Sequence, residues 1–529
     1  MKDVECPGCR ERDRRIQELR REVHALRDEV RQLKELVARN ASNSSLPPSA
    51  NPPQAAKPVV KEPSKRKPGG QPGHQPHLRL RLPPERIHQT IHHRPRHCSA
   101  CQQRLPVEAS PGDPQPSWHQ VAELPPLAAR IIEHQGPTRL CPGCGTLNQA
   151  TIPADVRAHS VGPRLTAFMA YLRGGHHVSL RGVEEIVETA FEVPLSLGRV
   201  SNLETQVSEA LAPAHAEALE AVRQAAVKNA DETSWKQGGK LCWLWLAATH
   251  NVAAFVVHAR RSWQGLQALL GQTLVGIVCS DRWSVYDRLA VAQRQICWSH
   301  LKRDFQRMAE RGTAAGKWLG EVGGATAHLL FHWWQAYRGG TISRAQLLHE
   351  LAPLRAEFRG QLEDGRARRD AKVVALCVNL LAVESALWTF LYVEGVEPTN
   401  NHAERMVRRG VLWRKCSYGS WSVEGCRFVE RMLTVVQTLR LQKRPVLHYL
   451  MAAVQAHRAS LPTPSLTLKP MNGYPGVSFQ PLTKTPFLSN TTTRFVFGLK
   501  NTFESGTYRY VPFSRVATSS KCAARAFSN

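Results

Sequence analysis

The stretch that most constrains the fold of this 529-residue chain lies at residues 226–287. It contains four short runs rich in Val, Ile, Leu and Trp, bounded by Gly, Asn, Lys and Arg. Runs of this length and composition indicate buried strands, and residues 263–270, between the third and fourth runs, have helical spacing. The sequence therefore predicts the order β-β-β-α-β.

Two of these runs end on an acid, the first on Asp231 and the fourth on Asp281. The first and fourth strands of such a sheet can lie side by side, so the two carboxyl groups, each expected at a carboxyl end, would face one metal-sized gap. This arrangement is similar to that of ribonuclease-H-like nucleases and DDE transposases, whose third acid comes from a later helix. Glu404 is the candidate for it. Taken singly, each aspartate is also typical of a turn at a strand end.

The segment around Glu404 predicts the start of a helix that Asn400 or Asn401 caps. Glu404 falls in its first turn, where the helix dipole favours a carboxylate. Residues 404–444 contain ten Lys and Arg against three acids. The basic residues nearest Glu404 are Arg405, Arg408, Arg409, Arg414 and Lys415. A metal-binding glutamate followed by basic side chains fits a site that holds DNA phosphates beside cations, and a solvated basic helix is the alternative.

The composition indicates a globular protein with a polyanionic partner. Hydrophobic residues make up 42% of the chain, enough for a sizeable core and roughly two to four domains. The formal net charge is +27, and affinity for nucleic acid comes largely from neutralised phosphates; the alternative is a basic protein that merely stays soluble. Without a long apolar run or a signal peptide, we expect no membrane span and a cytoplasmic location.

Residues 1–45 predict a coiled coil. Apolar residues recur at alternating spacings of three and four, with β-branched residues at every a position and Leu at every d position: Ile16, Leu19, Val23, Leu26, Val30, Leu33 and Val37. This combination favours a parallel dimer, so we expect self-association. An amphipathic helix packed on its own chain is the alternative.

Residues 46–90 predict a basic linker rich in Pro, Gly and Ser, which cannot bury a core. Residues 51–100 contain ten Lys and Arg against two acids. Lys65, Arg66 and Lys67 are therefore candidates for contacts with DNA phosphates, although such runs are often only solvated.

Residues 91–160 predict a zinc-binding module. Two CxxC pairs, formed by Cys98 with Cys101 and by Cys141 with Cys144, can supply the four thiolates of one closed tetrahedral Zn²⁺ site. In a chain without a secretion signal such pairs point to zinc or reduced thiols rather than disulfides. The spacer is longer than in the simplest zinc motifs, and His93 or His97 could replace a cysteine.

Residues 161–222 contain three segments with helical periodicity, and Ser179 and Ser196 are plausible N-caps of the last two. The short connection between them suits a helix-turn-helix. Arg199 and Asn202, near the start of the third segment, would then meet bases or phosphates. A small helical bundle beside the catalytic sheet is an equal alternative.

Residues 223–460 are predicted to form the catalytic domain, with a fifth strand near residue 295 and a helical insertion at about 301–395. Cys297 and His300 form a CxxH pair that could bind metal but is more often core and cap. The tail at 461–529 has no helical period, and we expect it to be disordered or read from a different frame.

Several of these stretches together resemble the transposases of the insertion-sequence-66 family, a group of bacterial mobile elements. The matching sequences include NSSLPPS at 43–49, GGQPGH at 69–74, the paired CxxC knuckles, SLGRVSN at 196–202, ADET at 230–233, SDRWSVYD at 280–287, CWSHLKRDF at 297–305, TNNHAER at 399–405 and RKCSYGSWSVEG at 414–425. The resemblance covers roughly residues 10–460.

The resemblance implies an α/β fold: a ribonuclease-H-like mixed sheet with a helical insertion, preceded by the coiled coil, zinc module and helix-turn-helix. It assigns the catalytic acids of a DDE transposase to Asp231, Asp281 and Glu404. These would hold two Mg²⁺ or Mn²⁺ ions, which prefer oxygen ligands, for in-line displacement at phosphorus. The expected partner is double-stranded DNA, both the terminal inverted repeats of the element and the target, in the bacterial nucleoid.

Two other functions remain open from the sequence. One is a sequence-specific DNA-binding regulator with an inactive transposase-like core, and the other is a ribonuclease-H-like nuclease that cuts without joining. The sequence also leaves open whether accessory proteins of the same element are needed.

Overall fold

The computed structural model describes residues 7–37, 81–108, 110–125 and 127–467. Lys65, Arg66 and Lys67, most of the predicted linker, and the tail from residue 468 lie outside the described residues. None of the described helices is both long and apolar enough to cross a bilayer.

The described part before residue 226 is mainly helical. Its elements are α1 (Pro7–Val37), β1 (Thr138–Leu140), β2 (Leu147–Gln149), α2 (Ala154–Ala158), α3 (Pro163–His176), α4 (Leu180–Phe191) and α5 (Leu197–Gln224). Ser179 and Ser196 cap α4 and α5, each accepting a hydrogen bond from the backbone N–H three residues on, as predicted from the sequence.

The central region is a sheet with one short helix. Its elements are β3 (Val227–Gln237), β4 (Lys240–Ala248), β5 (Ala253–His258), α6 (Trp263–Leu270), β6 (Ile277–Ser280) and β7 (Arg294–Ile296). The order β-β-β-α-β predicted for residues 226–287 is present, and a fifth strand follows.

Helices make up the rest of the described chain. They are α7 (Trp298–Ala309), α8 (Ala314–Arg338), α9 (Arg344–Arg366), α10 (Ala371–Ala382), α11 (Glu384–Leu387), α12 (Thr389–Tyr392), α13 (Asn401–Ser417), α14 (Val423–Leu441) and α15 (Val446–Arg458).

The five central strands form one mixed sheet in the order β5-β4-β3-β6-β7. β3, β4 and β5 are antiparallel neighbours, whereas β6 and β7 run parallel to β3. The register pairs Val227 with Ile277 and Asn229 with Cys279. The first and fourth strands of the sequence are therefore adjacent.

One detail of the predicted strands is wrong. Asp231 does not end its strand, because β3 continues through Gln237 and pairs with β4 from Asn229 to Gln237. Thr233 and Trp235, which favour extended backbone, face Leu244 and Cys242 across this hairpin. The parallel pairing with β6 does stop at Asn229, however. Asp231 thus lies just beyond the end of that pairing. It is at the same end of the parallel pair as Asp281, which directly follows β6.

The outer edge of β5 is covered by α14. Three side chains spaced four apart on this helix accept hydrogen bonds from alternate N–H groups of the strand: Thr438 from Ala253 (3.1 Å), Thr434 from Phe255 (3.0 Å), and Glu430 from Val257. The unpaired donors of an edge strand are satisfied in this way, which removes a site for pairing with another chain.

Two hydrophobic clusters form most of the described core. One joins the antiparallel half of the sheet to α3, α5, α13, α14 and α15, and the other joins β6 and β7 to helices α7–α12. A third, smaller cluster lies between α3, α4 and the start of α5. Because α3 and α5 share the core of the sheet, their packing favours the bundle alternative of the sequence analysis over a free helix-turn-helix.

Candidate active site

The site is built where β3, β6 and α13 meet. Asp231 lies on β3, Asp281 directly follows β6, and Glu404 lies in the first turn of α13. The Oδ1 atom of Asp231 accepts a hydrogen bond from Glu232 N–H (2.9 Å), and Oδ1 of Asp281 accepts one from Trp283 N–H (3.0 Å). Backbone N–H groups thus hold one carboxylate oxygen of each aspartate.

Asn400 fixes the start of α13 against β3. Its side-chain amide donates to Ala230 O (2.7 Å), and its Oδ1 accepts from Asn229 Nδ2 (3.0 Å). Asn400 is the N-cap residue by position, as predicted, but its side chain makes no capping hydrogen bond. The reason is that the side chain is already committed to β3, next to Asp231.

Cys297, the first residue of the CxxH pair, links α13 to β6. Its N–H donates to Ser280 O (2.9 Å), and its Sγ accepts from Asn400 N–H (3.1 Å). The next residue, Trp298, donates its N–H to Pro398 O (2.9 Å). Ala230 and Ser280, the residues that precede the two aspartates, are therefore joined through Asn400 and Cys297.

His300, the second residue of the pair, faces the third acid. Its Nδ1 lies 3.5 Å from Glu404 Oε1. Within the described part of the chain both atoms are enclosed and make no hydrogen bond. Cys297, His300 and Glu404 present ligand atoms that all lie within 4.8 Å of one another. The spacing of this pair favours core and cap over metal ligation, and it contains no signal for a position beside Glu404.

Close packing brings α13 onto the sheet. Ala403, Val407, Gly410 and Trp413 form its buried face. At Gly410 an added Cβ would lie 2.4 Å from Leu244 Cδ2 on β4, so a larger residue would require the Leu244 side chain to shift. The same packing holds the first turn of α13, which carries Glu404, against the sheet.

The charges of Asp281 and Glu404 act on Asp231. Burial, followed by the charges of Glu232, Asp281 and Glu404, raises the pKa of Asp231 well above its usual range. Desolvation and like charges both disfavour the ionised form of this side chain, and a nearby cation would favour it. Asp281 and Glu404 thus both lie within electrostatic range of Asp231.

Two other acids in this region are already paired. Glu232 Oε1 accepts from Arg261 Nε (2.9 Å), and its Oε2 accepts from Tyr286 OH (2.8 Å). Asp287 forms an ion pair with Arg294 (2.9 Å). Neither acid is as available to a metal ion as Glu404 is.

The residues present fit divalent cations that prefer oxygen. Asp231, Asp281 and Glu404 offer hard carboxylate oxygens, although among the described residues these three acids do not form a group within ligand distance. Oε1 of Glu404 is an enclosed acceptor that receives no hydrogen bond from the described residues. A cation here would also relieve the repulsion that raises the pKa of Asp231.

The outer face of α13 carries positive charge. We define the basic face as Arg405, Arg408, Arg409 and Lys415, all of which are exposed. Arg414, which the sequence grouped with them, turns inward instead and donates to the carbonyl and hydroxyl oxygens of Ser234 on β3. Arg414 therefore joins the end of α13 to the strand of Asp231.

The two CxxC pairs form equivalent turns. In the first turn, Cys98 N–H donates to Gln103 O and Gln102 N–H donates to Cys98 O. In the second turn, Cys141 N–H donates to Thr146 O and Gly145 N–H donates to Cys141 O. Backbone hydrogen bonds at Cys101 and Ala100 lower the pKa of Cys98, and the hydroxyl of Thr146 lowers that of Cys144. Among the described residues, however, the four cysteines do not form a group of three or more within ligand distance.

The two DNA-binding candidates of the predicted helix-turn-helix lie in the first turns of α5. Arg199 is half-buried and donates to the hydroxyl of Ser160, whereas Asn202 is exposed.

The fold and site define an α/β protein in which a basic helix that carries Glu404 packs on a mixed sheet beside Asp231. A family model described as the Transposase IS66 family matches residues 159–427, just over half of the chain. The chain belongs to this transposase family. A second model, for a family of unknown function (DUF6444), matches residues 6–80. A search of curated proteins finds no match.

Proposed function

We propose that this protein is a DDE transposase that cuts DNA at the ends of an insertion sequence and joins those ends to target DNA. The observation that carries the proposal is the bonding of Asn400 to Ala230 O (2.7 Å) and of Cys297 to Ser280 O and Asn400 N–H, because it brings the start of α13, with Glu404, against the residues that precede Asp231 and Asp281. The strand order, in which the first strand lies between its antiparallel hairpin partner and a parallel fourth strand, supports a ribonuclease-H-like core.

In this proposal Asp231, Asp281 and Glu404 together hold Mg²⁺ or Mn²⁺. When bound, two such ions would activate water or a 3′-hydroxyl as nucleophile and stabilise the leaving oxygen in an in-line displacement at phosphorus. The protein supplies the rest: Asn400 and Cys297 hold the three acids in register, and the basic face of α13 neutralises phosphates of the DNA beside them.

The parts before residue 160 would bind and pair the DNA ends. In the single described chain the apolar seam of α1 is open to solvent, with Leu26 59% exposed and Leu33 52% exposed. We propose that a second copy covers this seam and so brings two DNA ends together. The two equivalent CxxC turns would share one structural Zn²⁺ once their thiolates approach each other.

The test is an assay of cleavage and strand transfer with the purified protein, DNA carrying the element's terminal inverted repeats, and Mg²⁺. The proposal expects both cut ends and joined products. Cut ends without joined products would favour a nuclease, and tight end binding without either product would favour a DNA-binding regulator.

A further inference from the structure

Residues 418–422, which we call the aromatic loop, connect α13 to α14 and present two aromatic rings to solvent. Trp421 is 88% exposed and Tyr418 is 80% exposed, more than any other large hydrophobic side chain of the described residues except Val121. Aromatic side chains this exposed have a cost in water, and they occur where a partner covers them.

The loop is held rigidly. Ser420 pairs with the end of β3: its N–H donates to Lys236 O (2.8 Å) and its carbonyl accepts from Gly238 N–H (2.9 Å). The hydroxyl of Ser420 also accepts from Trp235 Nε1 (3.2 Å). At Gly419, φ is +118° and an added Cβ would lie 2.4 Å from Lys236 O, so the backbone accepts only glycine there. The exposure of both rings is therefore fixed by the backbone around them.

The surroundings of the loop are basic. The segments that flank it carry exposed Lys236, Lys240, Lys415 and Arg427 against one exposed acid, Glu424. Exposed rings with basic side chains around them suit nucleic acid, since the cations neutralise phosphates and the rings stack on bases. This charge balance favours a polyanion over an apolar protein surface.

The loop also lies at a defined distance from the acids. Ser420 pairs with Gln237, six residues along β3 from Asp231, which is about 20 Å at the rise of a strand. That span equals roughly six base pairs at about 3.4 Å each. A DNA strand that leaves the acids along β3 would reach the rings.

We propose that Trp421 and Tyr418 stack on unpaired bases of DNA strands that lie about six nucleotides from the site of cleavage. Bases in an intact duplex are already stacked on each other, so exposed rings gain most where the two strands have separated. This inference rests on the proposed function, because it takes the acids as the point of reaction.

The experiment compares two probes: a blunt duplex, and the same duplex with a single-stranded extension that carries 2-aminopurine. Binding is measured with Ca²⁺ in place of Mg²⁺, so that no chemistry is needed. We expect Trp421→Ala to weaken binding of the extended probe on the order of tenfold, to leave the blunt duplex unaffected, and to abolish the quenching of 2-aminopurine. Trp421→Phe, which keeps a ring, should restore most of both signals.

The control is Tyr392→Ala, which removes an exposed ring from α12 together with the hydrogen bond that its hydroxyl accepts from Arg355 (2.8 Å), and it should change neither probe. Trp421 packs against little, so its replacement should leave the thermal unfolding midpoint unchanged. Equal loss on both probes, or no loss on either, would overturn the inference, as would a change in oligomeric mass with unchanged binding. Failure of the wild-type protein to cut or join DNA would instead count against the proposed function.

Discussion

The side-chain amide of Asn400 donates a hydrogen bond to the carbonyl oxygen of Ala230 across 2.7 Å, joining residues 170 positions apart in the chain. One residue further along β3 is Asp231, and one turn further along α13 is Glu404. This single contact therefore connects the backbone of the strand and of the helix that carry two of the proposed catalytic acids.

Replacing Asn400 by Ala should lower the rate of strand transfer strongly, whereas the protein should lose only part of its stability and still fold. The change leaves buried partners without hydrogen bonds, at a cost of about 1–3 kcal/mol in stability. Displacing a catalytic group by even about 1 Å can cost on the order of 100-fold in rate. Strand-transfer rate and thermal unfolding are measured side by side. Gln295→Ala, which removes a buried amide bonded to Leu387 and Phe390, is the control and should lose stability with a smaller loss of rate.

His300 should position Glu404, and this predicts an effect on metal affinity. Residues that orient a metal ligand typically contribute about 10- to 100-fold in affinity, and His300 Nδ1 lies 3.5 Å from Glu404 Oε1. We expect His300→Ala to weaken Mn²⁺ binding, measured by titration calorimetry without DNA, at least about tenfold. His300→Asn should restore part of the affinity, and His328→Ala, on the exposed side of α8, should have no effect. Unchanged affinity in His300→Ala would contradict a positioning role.

The CxxC turns predict one zinc ion per chain. Metal analysis of the full-length protein, purified under reducing conditions, should find it, and Cys98→Ser and Cys141→Ser should each lose it. Cys416→Ser, which changes an exposed cysteine on α13, is the matched control and should retain zinc. Zinc-free wild-type protein, or zinc retained in both knuckle variants, would contradict the shared site.

The sequence predicted the strands well because their physical signal is local. The apolar runs of β3 to β6 specify buried strands, and Ser179 and Ser196 specify two helix starts. The course of β3 beyond Asp231 was missed, because polar Thr233 and Ser234 interrupt the apolar pattern and only pairing with β4 makes them strand residues. The contacts of Asn400 and the inward turn of Arg414 could not be predicted either, since both depend on partners in β3 more than 150 positions away.

The helix that covers the sheet edge predicts a pH effect on stability. Burial raises the pKa of Glu430 to about 7 from its ordinary 4.5, so the native state keeps a proton that the unfolded chain releases. The contribution of Glu430 to stability is thus greatest below about pH 4.5 and is lost as the pH rises through about 7. Glu430→Gln, which can still accept from Val257 N–H, should stabilise the protein at pH 8, by on the order of 2 kcal/mol, and have little effect at pH 4.5. Glu424→Gln, on the exposed side of α14, should show no such difference in denaturant unfolding.

The most direct test of the central claim is strand transfer in Mg²⁺ by three variants that keep the size of each acid but remove its charge: Asp231→Asn, Asp281→Asn and Glu404→Gln. DNA-end binding is measured in parallel at fixed salt. The account predicts that each variant loses cleavage and joining by at least about three orders of magnitude, as expected when a group that holds catalytic cations is removed, while end binding is retained or becomes tighter. Any one variant that still joins DNA at the wild-type rate would contradict the assignment of all three acids to one catalytic site.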